Sequence, residues 1–315
     1  MKMLAQQNLI IPDYERNTVA NVPATIAALF GAKVPGLPPL RAELWQPLLD
    51  DGKVRHVILL IADGMGQNLI GRRREDTAWL AQEATVHDQI TSVFPSTTVN
   101  ALSSLWTGAA PAQHGLLGLE MFFPRLGVVA QMLALSPSFT WQPDALVHAG
   151  LQPETFFPVP GFAENLAGAG VGTYSLKHHS LVKSSLSRMY SRGIKEDIGI
   201  VTAADLMWQI KRVLNEQAGR RTFIAGYWAA VDSLSHRHGF DHPAVAAELR
   251  SFLGLLKREL LDELEPEARR GTVVILTADH GQRNTPLAQR VFLEDHPQLQ
   301  QMLLMRAAGE PRTAY

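Results

Sequence analysis

Apolar and polar positions along the chain fall in blocks rather than alternating residue by residue. "VILLIAD" sets six apolar residues, 57–62, directly before Asp63. The same event recurs in "TFIAGYWAAVD", which ends at Asp232, and in "GTVVILTAD", which ends at Asp279. Near-continuous apolar runs with β-branched residues predict strands buried on both faces, as in a parallel sheet. Between and around them, "AADLMWQIKRVLNEQAG" and "PAVAAELRSFLGLLKRELLDELE" repeat apolar residues at spacings of three and four, the helical period. The predicted fold is α/β, a mostly parallel central sheet sandwiched between helices. Ligands gather at the carboxyl ends of strands in such sheets, so the three aspartates are expected to converge on one edge.

Two regions break this pattern. Residues 1–50 predict an irregular lead, one helix over "VPATIAALFGA" and a Pro/Gly-rich link, "KVPGLPPL". Residues around 120–200 are rich in Gly, Pro, Ser and aromatics with weak periodicity. They predict a small cap-like insertion within one domain covering 1–315.

Composition narrows the function classes. With 315 residues, 46% apolar and 19% charged, the chain is an ordinary globular one, long enough to bury a full core. A net charge of −1 without a long basic block gives no reason to expect a nucleic-acid or anionic-membrane partner. No stretch approaches about 18 uninterrupted apolar residues, so no membrane span is expected. The opening "MKMLAQQNLIIPDYERN" has no apolar core before its acidic residues, so no signal peptide is expected and a cytoplasmic location is. Cysteine is absent, which leaves His, Asp, Glu and hydroxyl groups as the metal donors and removes a thiol nucleophile.

Three segments concentrate those donors. In "VDSLSHRHG", Asp232 and His236 are four residues apart, a spacing that puts both on one helix face; the same segment also reads as a polar loop with surface histidines. In "TADHG", Asp279 and His280 are adjacent and reach one site only if the strand has ended, a turn that Gly281 permits. In "FPSTTVNALSSLWTGAAPAQHG", a helix is expected with Ser96 or Thr97 as N-cap and Thr98 in the first turn. These hydroxyls either cap the helix or use its N-terminus to stabilise an alkoxide and bind phosphoryl oxygens. His114, in "PAQHG", is expected to order its loop. With Asp63, the set is rich in oxygen and nitrogen and suits two divalent ions.

In their order, "ADGMG", "FPSTT", "TGAAPAQHG", "DSLSHRHG" and "ADHG" resemble the alkaline phosphatase superfamily, specifically its type I phosphodiesterase/nucleotide pyrophosphatase branch. The resemblance implies a metal-dependent hydrolase that cleaves phosphodiester or pyrophosphate bonds of a small phosphorylated substrate, a nucleotide among the candidates. It implies two divalent metal ions, zinc with manganese as the alternative. One would be held by Asp63, Thr98, Asp279 and His280, the other by Asp232, His236 and a later histidine. Thr98, three residues after Pro95 and nine before Thr107, is the implied nucleophile, with Thr97 as the fallback. It would attack phosphorus in line with the leaving group, and water would then release the phosphoryl group from the threonine. His236 and His280 would act as neutral ligands rather than bases.

Two departures qualify what the resemblance implies. Downstream of Gln282 the sole histidine is His296, in "VFLEDHPQLQQML". The family's later histidine and the C-terminal part of the fold that carries it are therefore expected to be missing, with the second ion weak or absent. The family's phosphoryl-contacting Asn after "HG" is also missing, because "HGLLGLEMFF" has Leu119 and Glu120 there. A phosphomonoesterase, mutase or phosphonate hydrolase of the same superfamily is the alternative, and an inactive metal-binding scaffold is the different-class alternative. No Cys or Ser stands in a sulfatase context. Gly64-Met65-Gly66 lacks the third glycine of a dinucleotide fingerprint, "AGAGVG" follows no convincing strand, and no P-loop lysine motif occurs.

Overall fold

The computed structural model describes residues 2–4, 9–49, 53–140 and 142–315. Its centre is a five-stranded sheet of β1 (His56–Ala62), β2 (Gly172–His178), β3 (Ile194–Ile200), β4 (Thr222–Trp228) and β5 (Thr272–Thr277), in the order β5-β1-β4-β2-β3. Every pairing in this sheet is parallel. Ile61 of β1 pairs with both Thr277 of β5 and Tyr227 of β4, so these three strands end level.

All seven residues of β1 are buried, because each face of the sheet is covered. Val57, Leu59 and Ile61 point into one core with Ile26, Val99, Leu105, Trp106 and Phe223. Ile58, Leu60 and Ala62 point into the other with Leu206, Ile210, Val213, Leu249 and Phe252. Successive side chains leave a strand on opposite faces, so a strand between two cores is mostly apolar, as β1 is after His56. Burying each Leu or Ile here contributes about 1.5–3 kcal/mol.

The helices that matter for the site are α1 (Gln67–Arg72), α2 (Thr98–Thr107), α3 (Ala203–Glu216), α4 (Ala230–His238) and α5 (Pro243–Leu255). α3 buries Leu206, Met207, Ile210, Val213 and Leu214, and Thr202 caps its N-terminus by accepting from the Asp205 amide at 3.1 Å. Among the described residues, no helix is long and apolar enough to cross a membrane.

The region around 120–200 is not all insertion. Glu120–Phe123, Val128–Gln131 and Ser136–Pro137 form a small antiparallel sheet completed by Gly309–Glu310 and Thr313–Ala314. β2 and β3, however, belong to the central sheet. Their apolar pattern is broken because β2 buries Thr173, Ser175 and Lys177, and Lys177 is paired at 3.0 Å with Asp197 of edge strand β3. In the lead, Lys2–Leu4 pairs antiparallel with Leu9–Ile11 instead of being irregular, and Val22–Leu29 is the expected helix. Residues 1, 5–8 and 50 of that lead, and 141 of the expected insertion, lie outside the described residues.

Candidate active site

The site forms where β1, β4 and β5 stop. Asp63 follows β1 directly, and its amide donates to the Trp228 carbonyl at 3.0 Å, extending the ladder by one bond. Gly64 then turns the chain with φ +71°, a conformation that disfavours a side chain. Its amide donates to Asp279 Oδ1 at 3.2 Å, which fastens the end of β1 to the segment after β5. Gly66 lies so close to Gly281 that a Cβ on it would come within 2.3 Å of the Gly281 Cα. The glycines of "ADGMG" and "ADHG" are therefore the contact surfaces of two crossing backbones.

That crossing brings Asp63, Asp279, His280 and Thr98 together. Thr98 Oγ1 is 3.0 Å from His280 Nε2, which is 3.3 Å from Asp63 Oδ1 and 3.6 Å from Asp279 Oδ2. His280 Nδ1 is 3.1 Å from the Gly281 carbonyl, an acceptor only, so Nδ1 carries a proton and Nε2 is the nitrogen turned toward Thr98 and the two carboxylates. Asp279 Oδ1 accepts from the amides of Gly64 and His280, and the Ser92 hydroxyl holds the Asp279 carbonyl at 2.6 Å.

Two oxygens are left over. Asp63 Oδ1 and Asp279 Oδ2 are buried and accept no hydrogen bond, although both face His280 Nε2. Burial, then the negative charges of Asp279 and Asp232, push the Asp63 carboxyl well above the usual carboxylate range. Burial likewise pushes Asp279 up to about 6, against the lowering effect of its hydrogen bonds. Unpartnered buried carboxylate oxygens are costly unless a cation faces them. The two carboxylates and the imidazole suit a divalent cation. Among the described residues, Asp63, Asp279 and His280 are the acid and imidazole groups whose ligand atoms converge in this way.

Asp232 and His236 form a looser pair on α4. Asp232 is in the first turn and buried, with Oδ2 3.3 Å from His236 Nε2, while the His236 side chain is 79% exposed. A Cβ on Gly64 would meet the Asp232 Cβ at 3.1 Å, so this carboxylate stands next to the buried trio without joining it. His296 is exposed at the start of the Pro297–Met302 helix and joins no such cluster among the described residues. His114 is fully buried, 3.1 Å from the Ser104 hydroxyl, and accepts from the Leu116 amide at 3.2 Å, which ties its loop to α2. Burial lowers its pKa to about 4, so it is neutral.

α2 differs from its expected form at one end. Thr97 is its N-cap residue by backbone geometry, yet no side chain caps it, and Thr98 is the first helical residue. Three further residues escape sequence reasoning. The Tyr227 hydroxyl donates to Asp63 Oδ2, the Gln282 carboxamide donates to Asp232 Oδ1, and Arg312 donates to the Ser96 carbonyl at 2.8 Å. A phenol inside an otherwise apolar strand is the one sequence signal among them, since a buried Tyr needs a partner.

The family profile described as type I phosphodiesterase/nucleotide pyrophosphatase matches residues 57–314. Murine ectonucleotide pyrophosphatase/phosphodiesterase 5, in an inactive form in complex with AMP, is similar in structure with a TM-score of 0.54 and 16% identity, over 76% of this chain and 60% of that one. Phosphonoacetate hydrolase from Sinorhizobium meliloti in complex with phosphonoformate is similar with a TM-score of 0.54 and 18% identity, over 79% of this chain and 62% of that one. At these identities the likeness establishes the fold, and the matched part is under two thirds of either structure's length. No curated protein matches the chain.

Proposed function

Because the chain belongs to the type I phosphodiesterase/nucleotide pyrophosphatase family, we propose that it is a metal-dependent hydrolase of phosphodiester or pyrophosphate bonds with Thr98 as nucleophile. The observation that carries this reading is the position of Thr98 Oγ1, 3.0 Å from His280 Nε2, which itself faces two buried, unpartnered carboxylate oxygens. Asp63, Thr98, Asp279 and His280 would hold one divalent ion, Asp232 and His236 a second, with zinc or manganese the candidates. When bound, such ions neutralise the carboxylates and lower the pKa of the hydroxyl and of water.

The chain's own residues do the rest. Tyr227 and the Gly64 amide fix the rotation of Asp63 and Asp279. His280, with a proton held on Nδ1, turns Nε2 toward Thr98 and the two carboxylates. Thr98 Oγ1 loses its proton to solvent and attacks phosphorus, the P–O bond to the leaving group breaks, and the departing oxygen takes a proton from water, leaving a phosphothreonine. Water then cleaves that ester and restores the hydroxyl. The uncapped N-terminus of α2 offers backbone N–H groups to phosphoryl oxygens in both steps.

A small phosphorylated substrate fits this reading, since the similar structures hold AMP and phosphonoformate. One observation favours a second reading, hydrolysis of a phosphomonoester or phosphonate. Glu120, in the segment where the family's Asn is missing, is occupied by an ion pair with Arg306 at 3.1 Å. Turnover of bis(p-nitrophenyl) phosphate, p-nitrophenyl phosphate and phosphonoacetate with added Zn²⁺ or Mn²⁺ separates the two. The diester is expected to be the best substrate; a preference for either of the others gives the second reading. Metal-independent turnover, or full turnover by Thr98→Ala, contradicts both.

A further inference from the structure

We infer that Gln282 is a positioning residue for the second ion: its carboxamide holds the Asp232 carboxylate in the orientation that pairs it with His236. This rests on the two-ion reading above and adds a residue outside its ligand set.

The two oxygens of Asp232 have separate partners. Oδ1 accepts from Gln282 Nε2, and Oδ2 lies 3.3 Å from His236 Nε2. The hydrogen bond occupies one oxygen and fixes the carboxylate plane, which leaves the other beside the imidazole. Little else holds this pair, because His236 is 79% exposed. Asp232 therefore sets where a second ion can sit, and Gln282 sets Asp232.

Gln282 is itself held from two sides. Its backbone carbonyl accepts from the Asn68 carboxamide of α1 at 2.8 Å. Its side chain crosses over Gly64, where a Cβ would come within 2.9 Å of Nε2. The backbone one residue earlier is packed against Gly66. A chain of contacts thus runs from α1, through the segment after His280, to Asp232. The same crossing that assembles the buried trio aims the carboxylate of the outer pair. Groups that orient a metal-binding side chain in this way are typically worth about 10–100-fold in metal affinity.

The carboxamide turned over, with its oxygen toward the ion, would make Gln282 a ligand instead. Gln282→Glu separates the two roles. It removes the donor and faces Asp232 with a like charge, so a positioning role predicts a weaker second ion and a ligand role a tighter one.

The experiment is titration of the metal-free full chain with Mn²⁺, free ion read by electron paramagnetic resonance, and bound Zn²⁺ counted by mass spectrometry in parallel. The wild type is expected to bind two ions. Gln282→Ala and Gln282→Glu are expected to keep the first with unchanged affinity and to bind the second about 10–100-fold more weakly. Asn68→Ala, which leaves the Gln282 carboxamide in place but frees that residue's backbone carbonyl, is expected to shift the second ion several-fold the same way, and it carries the test if Gln282→Ala does not fold. Wild-type affinity for both ions in the Gln282 variants, or a tighter second ion in Gln282→Glu, overturns the inference and leaves the two-ion reading intact. A wild type that binds a single ion overturns the two-ion reading, and this inference with it.

Discussion

The two halves of the site are built to different standards. Asp63, Asp279 and His280 are buried where three strands end, and two of their oxygens have no hydrogen-bond partner. Asp232 and His236 sit on a helix one turn apart, with one oxygen already engaged by Gln282 and the imidazole in solvent. The first half has its desolvation cost built into the fold and gains most from a cation. The second half is wetter, less constrained and dependent on a neighbour for its geometry. On this account the buried trio is the tight ion site and the α4 pair the weak one.

The largest effect expected is on turnover. Thr98→Ala should lower hydrolysis of the preferred ester on the order of 10⁴-fold or more, as loss of a nucleophile does. Metal analysis of the same variant should still find an ion in the trio. Residual turnover near the wild-type level would remove Thr98 from the mechanism. Next, His280→Ala and His236→Ala should separate the halves: the first loses the tighter ion, the second only the weaker one. Equal losses in a calorimetric titration would erase the distinction between them.

Stability without metal gives a smaller effect of unusual sign. Asp279→Asn removes a buried negative charge and should stabilise the metal-free chain by about 1–3 kcal/mol at pH 8. Asp232→Asn, beside an exposed imidazole and with a donor on one oxygen, should change it by less. Chemical denaturation of both variants in chelator checks this, and the opposite ranking would contradict the comparison.

The pH dependence follows from the same carboxyls. Asp279 is raised from 3.8 to about 6 by burial, and Asp63 moves in the same direction. Between the unfolded and folded values the folded state binds more protons, so this contribution is fully present below about pH 4. It is lost as pH rises through 6. The metal-free chain should therefore melt at a lower temperature at pH 8 than at pH 5. Saturating divalent ion should narrow or reverse that difference, and identical melting profiles with and without metal would contradict it.

Much of this comparison was legible in the sequence, for a physical reason. A strand between two cores is mostly apolar, so β1 and β4 announce themselves, and an aspartate directly after such a strand, as Asp63 is, stands out. Strand direction puts Asp63 and Asp279 on one edge, and the grouping of His280 with them came from the family resemblance. β2 was hidden because it buries Thr173, Ser175 and Lys177, and the partner of Lys177, Asp197, lies on another strand. Tyr227 and Gln282 were hidden for a related reason. Their roles depend on register and on a backbone crossing at Gly66 and Gly281, which no local pattern encodes. Of the two N-cap candidates, Ser96 and Thr97, the structure has Thr97 at the helix start, and its hydroxyl makes no capping bond.

The most direct test of the account is the metal content and activity of Asp63→Asn beside the wild type, both purified as the full chain and loaded with Zn²⁺. The account predicts that the variant loses the tighter ion and its turnover, while the metal-free variant stays folded. Full metal occupancy with wild-type activity would mean that Asp63 holds nothing and that the buried trio is not the site.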